Sequence, residues 1–402
     1  MAGPLAGVRV LDLTTIVLGP SASQMLGDMG ADVIKVEPPA GDPTRQVGPG
    51  RHGDMSAQFM NVNRNKRSLV LDLKNPAARE ALLKLAAGAD VFLHTMRPEA
   101  IRRLGLDYDA LCAANPRIIY CGAYGYREDG PYAGRPAYDD MIQAESGIAA
   151  LEGRLSDRPR YSANIMADKV MGLMTANCVA LALYHRERTG EGQAVEVPMF
   201  ETMVAFALLE HQWGHVFDPP LAPPGYPRAL IDERRPYRTK DGHIGVLPHN
   251  DRQWRAFFRV AGRSELMADP RFADIASRTR NIADLYGTLA EILTTRTTDD
   301  WLRALRAANV PSTRINGLDD LFDDPHLNAI GFWRRMTHPT EGPLTVMDVA
   351  PQFAKSPGDI RRLPPRLGEH SREVLAEAGL GPKAIDDLIA AGAAAEPGRD
   401  QP

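Results

Sequence analysis

Cysteine is scarce. The 402 residues include three, Cys112, Cys121 and Cys178, spaced too widely for a disulfide framework or a structural zinc cluster. A reducing cytoplasm is the expected setting, with no metal. Aromatics make up 6% of the chain, and no uninterrupted apolar run approaches the ~18 residues of a membrane-spanning helix, so no membrane partner is expected. The opening MAGPLAGVRVLDL has no basic stretch leading into an apolar core and cleavage site, and no secretory leader is expected. Neither sign of charge dominates, with 47 basic and 51 acidic residues, which argues against nucleic acid as a partner. Glycine signatures are missing as well. There is no Gly-x-Ser-x-Gly elbow and no Walker loop. The dinucleotide fingerprint needs three glycines in the first βα turn. Here that turn reads Thr15-Ile16-Val17-Leu18-Gly19-Pro20, with bulky side chains where a pyrophosphate would lie, so no nicotinamide cofactor is expected. The same loop can instead offer an apolar wall to a ligand, or simply pack inside the protein.

What is present reads as α/β. VRVLDL (8–13) and ADVIKVE (31–37) are apolar, β-rich runs suited to buried parallel strands. Between them Ser21 to Met29 reads as a helix, with Pro20 in its first turn and Gly30 as its stop. Helices are predicted at 76–88, 98–104 and 168–185, and strands at 90–94, 117–124 and 193–200. Such alternation indicates a doubly wound, Rossmann-like sheet. Six prolines between 217 and 237 break the pattern. The division expected is a large domain from 1–205, a linker at 206–224, a smaller α+β domain at 225–335 with a helix at 282–294, and a return segment at 336–402. A last helix is predicted at 371–378 and a frayed tail at 390–402.

Local charge is uneven. Between Arg64 and Arg103 there are nine basic and four acidic residues, enough to hold a polyanionic ligand if those charges face outward. His211 and His215 have zinc-like spacing on a helix, but no glutamate follows His211 and no third ligand is evident.

Several motifs, taken in order, resemble one family. Val10-Leu-Asp-Leu-Thr14, Gly19-Pro20, Gly30 to Glu37, Gly41-Asp42 and Arg45 look like the opening of the class III CoA-transferases, a family that includes formyl-CoA transferase, carnitine CoA-transferase and α-methylacyl-CoA racemase. Asn65-Lys-Arg-Ser68, Leu71-Asp-Leu-Lys74, Asn115 to Tyr120, Ala137-Tyr-Asp139, Gln143-Ala144, Ser146-Gly147, Thr189 to Gln193 and Leu367-Gly-Glu-His370 continue the likeness. The resemblance implies acyl-CoA and small carboxylic acids as substrates, a Rossmann-like large domain and an interlocked homodimer. It places the nucleophile on Asp168. It places CoA contacts on Val17, Leu18, Leu71, Lys74, Thr95, Met96, Arg97, Arg103, Ala137, Tyr138 and Asp139, with Lys74, Arg97 and Arg103 neutralising the phosphates. Pro38 stands where some members carry arginine. The stretch Gly245 to Trp254 lacks the glycine run of formyl-CoA transferase, which argues against formate or oxalate. His249 and Asn250 in that stretch could meet the acyl group or form a plain loop.

A carboxylate nucleophile divides thioester-to-acid exchange into easier covalent steps. Asp168 lies near the expected start of an apolar helix, where the dipole favours its ionised form; the bland alternative is a simple helix cap. Racemisation needs two acid–base groups on opposite faces of the α-carbon. The racemases carry a His-Asp pair where this chain has Tyr138-Asp139, and tyrosine, with a pKa near ~10, is a poor base. A non-catalytic CoA-binding protein on the same scaffold is the remaining alternative.

Overall fold

The computed structural model describes residues 3–397. The chain forms two compact units. One takes in residues up to Ala150, Arg160–Phe206 and the chain from Asn328 onward; the other takes in Leu151–Pro159 and Ala207–Leu327. The nine-residue excursion at 151–159 carries no composition signal in the sequence.

The first unit is built on a seven-stranded sheet. Its strands are β1 (Arg9–Leu13), β2 (Asp32–Glu37), β3 (Lys66–Leu71), β4 (Val91–His94), β5 (Ile119–Tyr124) and β6 (Gln193–Pro198), with Ala394–Ala395 at one edge. From that edge the order runs β3, β2, β1, β4, β5, β6. All six are parallel, and the edge strand runs antiparallel to β3. Val10, Leu11, Ile34, Leu69, Val70, Val91, Phe92 and Ile119 are fully buried, the near-continuous apolar pattern of strands covered on both faces. The order reverses between β1 and β4. The loops leaving those two strands therefore diverge and open a crevice at the carboxyl end of the sheet.

Helix α1 (Leu18–Asp28) begins at Leu18, so Gly19 and Pro20 lie in its first turn. The long helix α3 (Met166–Thr189) packs on it, burying Ala167, Met171, Gly172, Thr175, Val179 and Ala182. A Cβ on Gly172 would come within 2.2 Å of Ser21 Oγ and 3.1 Å of the Leu18 carbonyl oxygen, so only glycine lets these helices approach so closely. By length and composition alone, α3 is long and apolar enough to cross a bilayer. It still contains no long uninterrupted apolar run; the two criteria differ because hydropathy tolerates the scattered polar residues that interrupt a run, and the core helix of a protein that meets no membrane satisfies the hydropathy criterion as well.

Three expectations need revision. The run after β6 does not extend as strand to Phe200 and then unwind into a linker at 206; it forms a helix, Met199–His211, because neither glycine nor proline interrupts it before Gly214. Helix Ser371–Glu377 is followed by a second, Pro382–Ala390. Ala394 and Ala395 then pair with Leu71 and Val70, so this part of the tail is sheet edge; residues 398–402 lie outside the described residues.

The second unit holds a three-stranded antiparallel sheet in the order Tyr237–Arg238, His243–Val246, Ser312–Arg314. Helices Asp251–Val260, Ile282–Leu293 and Thr298–Ala307 supply Trp254, Phe257, Phe258, Leu289 and Trp301 to its core.

Candidate active site

The residues carrying the resemblance build, in large part, a buried polar scaffold beneath the loop after β1. Lys66 Nζ donates to Asp12 Oδ2 at 3.0 Å, to the Pro20 carbonyl at 3.0 Å and to Asn63 Oδ1 at 2.9 Å. Lys35 Nζ donates to Asp42 Oδ2 at 2.8 Å and to the Thr14 carbonyl at 3.0 Å. Arg45 makes a two-pronged contact with Glu37, each bond 2.8 Å, and its guanidinium lies 3.8 Å from the Phe59 ring centroid. Burial lowers the Lys66 ammonium to about 8 against the opposing pull of Asp12. Burial also pushes the Asp12 carboxyl up, and Lys66 and Lys35 outweigh it to hold it below the usual carboxylate range. The scaffold fixes the loop above it: the Ile16 N–H donates to Asp42 Oδ1 at 3.3 Å, and Ile16 takes a left-handed φ of 70°.

This scaffold alters the charge argument. Arg64 pairs with Asp28, Lys66 with Asp12, Arg67 with Asp32, Glu373 and Glu377, Lys84 with Glu80, and Arg102 with Glu128. Much of the local positive charge is thus neutralised within the protein. Lys74, Arg97 and Arg103 are exposed.

The crevice at the strand-order reversal holds a cavity of about 420 Å³. The loop after β1 contributes Thr15 and Ile16, and α1 contributes Leu18. The loop after β4 contributes Thr95 and Arg97, and the end of β5 contributes Ala123 and Tyr124. Ala137, Tyr138 and Asp168 complete it, together with Arg135 and Met199. Of the residues singled out in the sequence, Leu18, Thr95, Arg97, Ala137, Tyr138 and Asp168 meet here.

The others do not line this cavity. Val17 is the buried residue preceding α1, and Leu71 is buried in the core of β3. Met96 packs against the apolar core, and Lys74 and Arg103 lie on the surface elsewhere. Asp139 is buried behind the cavity wall as the first residue of α2 (Asp139–Glu145). Asn250 caps helix Asp251–Val260 through a reciprocal capping box with Gln253, so the stretch after Gly245 is strand, short turn and helix. His211 Nδ1 accepts the Tyr226 N–H at 3.1 Å.

Asp168 is not the cap of α3. The helix starts two residues earlier, with Ile165 at the N-cap, and Asp168 occupies the third helical position. Its own N–H is taken by Asp139 Oδ1 at 3.0 Å, while Asp139 Oδ2 accepts from Gln143 Nε2 at 2.5 Å. Gln143 in turn accepts the Ser162 N–H at 2.9 Å, tying α2 to the segment that leads into α3. Among the described residues the Asp168 carboxyl has no hydrogen-bond donor. Burial, and secondly the negative charge of Asp139, push it up to about 7. The expectation that the helix dipole keeps this group strongly ionised is therefore reversed: a second carboxylate already occupies the positive end of α3.

A carboxyl poised near neutrality, without a donor to mask its lone pairs, beside free guanidinium groups at a sheet switch point is suited to attack an activated carbonyl. The sequence profile described as CoA-transferase family III matches residues 5–371. The chain belongs to this family. It is 32% identical to the human succinyl-CoA:glutarate CoA-transferase over 97% of this chain and 89% of that protein. It is 37% identical to the acetyl-CoA:oxalate CoA-transferase of Acetobacter aceti over 77% of this chain and 80% of that protein. The crystal structure of a CAIB/BAIF family protein from Brucella suis superposes with a TM-score of 0.78 at 33% identity, covering 94% of this chain and 100% of that one. The protein is a family III CoA-transferase, and its substrates include CoA thioesters.

Arg135 and Met199 were missed in the sequence. Arg135 lies in no periodic pattern or motif and comes from a loop, while Met199, read as part of the strand 193–200, is the first residue of the helix that follows β6.

Proposed function

We propose that this CoA-transferase moves CoA from an acyl-CoA donor to a carboxylic acid acceptor through a covalent thioester on Asp168. The observation that carries the reading is the Asp168 carboxyl itself, facing the switch-point cavity with no donor bound and a pKa raised to about 7. Its carboxylate attacks the donor thioester carbonyl; the C–S bond breaks, CoA leaves as thiolate, and a mixed anhydride remains. The thiolate attacks the Asp168 carbonyl and expels the donor acid as its carboxylate. The acceptor carboxylate then attacks the aspartyl thioester, again releasing thiolate and leaving an anhydride. Attack of the thiolate on the acceptor's carbonyl gives the new acyl-CoA and returns Asp168 as carboxylate. Thr95, Arg97, Ala137 and Tyr138, which line the same cavity, are suited to hold the pantetheine arm and the diphosphate, with Lys74 and Arg103 contributing charge from outside it.

The named relatives act on short acids, glutarate and oxalate among them, so oxalate stays among the acceptors to test despite the missing glycine run. Two further readings belong to this proposal. The enzyme works as a homodimer, supported by the exposed Leu173, Leu181 and Tyr184 along the outer face of α3. It works in a reducing cytoplasm, which suits its three free thiols. The test is Asp168→Ala: CoA transfer falls by at least about 10³-fold while CoA affinity stays within a few-fold. Retained transfer would make the covalent relay wrong.

A further inference from the structure

Three charged side chains line the Asp168 cavity: Asp168, Arg97 and Arg135. Asp168 is committed to chemistry and Arg97 to CoA. Arg135 is left over. It is solvent-exposed, and no carboxylate lies within ion-pair distance of it among the described residues. Its guanidinium sits 3.9 Å from the centroid of the Tyr132 ring. Tyr132 packs in turn against Tyr126 and Phe200, with centroids 5.6 and 6.0 Å away. The Tyr126 hydroxyl is anchored by donating to Glu145 Oε2 at 2.7 Å, and Phe200 directly follows the cavity residue Met199. The aromatic cluster therefore holds a planar cationic fork in place before any ligand arrives.

We propose that Arg135 is the specificity residue of this cavity, binding the distal carboxylate of a short dicarboxylic acid whose proximal carboxyl reacts at Asp168. The inference rests on the reading of the cavity as the transfer site. A guanidinium matches a carboxylate with two parallel N–H···O bonds, a geometry an ammonium cannot copy. Ile16, Leu18 and Met199 offer apolar wall for the methylene chain between the two carboxyl groups. A monocarboxylic acid of the same length would leave the Arg135 guanidinium facing an alkyl end. Selectivity then comes from that mismatch as well as from the pairing.

Succinate and butyrate, which share a four-carbon skeleton, are the probes. With one acyl-CoA donor held fixed, the ratio of kcat/KM for succinate over butyrate is measured in the native protein, Arg135→Gln and Arg135→Lys. The native protein prefers succinate; Arg135→Gln lowers the ratio by about 10- to 100-fold, and Arg135→Lys, which keeps the charge but loses the fork, falls between. The same comparison is made by equilibrium binding of the two acids to CoA-loaded Asp168→Ala protein. That measurement needs no covalent chemistry, so failure of the Asp168 mechanism and failure of this assignment are separable. A native protein indifferent to the two acids, or a ratio unmoved in Arg135→Gln, overturns the proposal. So does an equal loss for both acids accompanied by a raised KM for acyl-CoA, which would put Arg135 on CoA instead.

Discussion

The Asp168 carboxyl, pushed up to about 7, is only half ionised in neutral solution, and in the proposed relay the nucleophile is the ionised half. kcat/KM for the acyl-CoA donor is therefore expected to rise with pH and level off above a bend near 7, since this parameter reports the free enzyme. Asp139→Asn removes the neighbouring charge, so the bend moves to lower pH; burial, the larger cause, keeps it above the ordinary carboxylate value of 3.8. Linkage gives a companion effect with a definite sign. Because the folded-state pKa is raised, the protonated group's contribution to stability is complete below about 3.8 and is lost as pH rises through about 7. Asp168→Asn should thus gain Tm relative to the native protein at pH 8 over pH 5, a comparison calorimetry reads directly. The sequence pointed to Asp168 only through its family motifs, and it misjudged the group's state. A dipole argument sees the local helix, whereas the burial that chiefly raises the group, and the Asp139 carboxylate that adds to it from 29 positions earlier, are set by the fold.

At the scale of elements, the approach of α3 to α1 sets where Asp168 sits, and Gly172 lies one turn further along the same buried face. Alanine there drives a methyl group into Ser21 and the Leu18 carbonyl. We expect Gly172→Ala to cost about 1–3 kcal/mol in denaturant unfolding. Transfer should fall with it, since the shift is passed to Asp168 and to the cavity residue Leu18. An unchanged midpoint together with native activity would show that the crossing is looser than the geometry indicates. The central strands and helices were legible because burial on both faces leaves near-continuous apolar runs. The edge strand Ala394–Ala395 was not: two alanines have no alternation to read, and their place depends on pairing with β3, more than 300 residues away in sequence. Lys66 and Arg67 misled in the opposite direction, since a basic residue in a strand reads as surface until its acidic partner is seen.

At the scale of the whole molecule, the outer face of α3 leaves Leu173, Leu181 and Tyr184 each about 60% exposed, and a monomer rarely presents such a line of apolar side chains to water. Homodimer formation predicts a light-scattering mass twice the chain mass of 44.0 kDa, with Leu181→Arg combined with Tyr184→Glu shifting the protein toward the monomer. A native protein that stays monomeric at micromolar concentration would contradict that reading. The alternation of strands and helices made the sheet architecture legible. The excursion of 151–159 into the second unit was not, because it is set by packing rather than by composition.

The proposed relay requires a covalent bond at Asp168. Incubating the native protein with an acyl-CoA donor, adding hydroxylamine and locating the modified peptide by mass spectrometry tests it directly. A hydroxamate on Asp168, formed only when donor is present and missing from Asp168→Ala, is the predicted result. Full transfer activity with no adduct on Asp168, or an adduct on another residue, would contradict it.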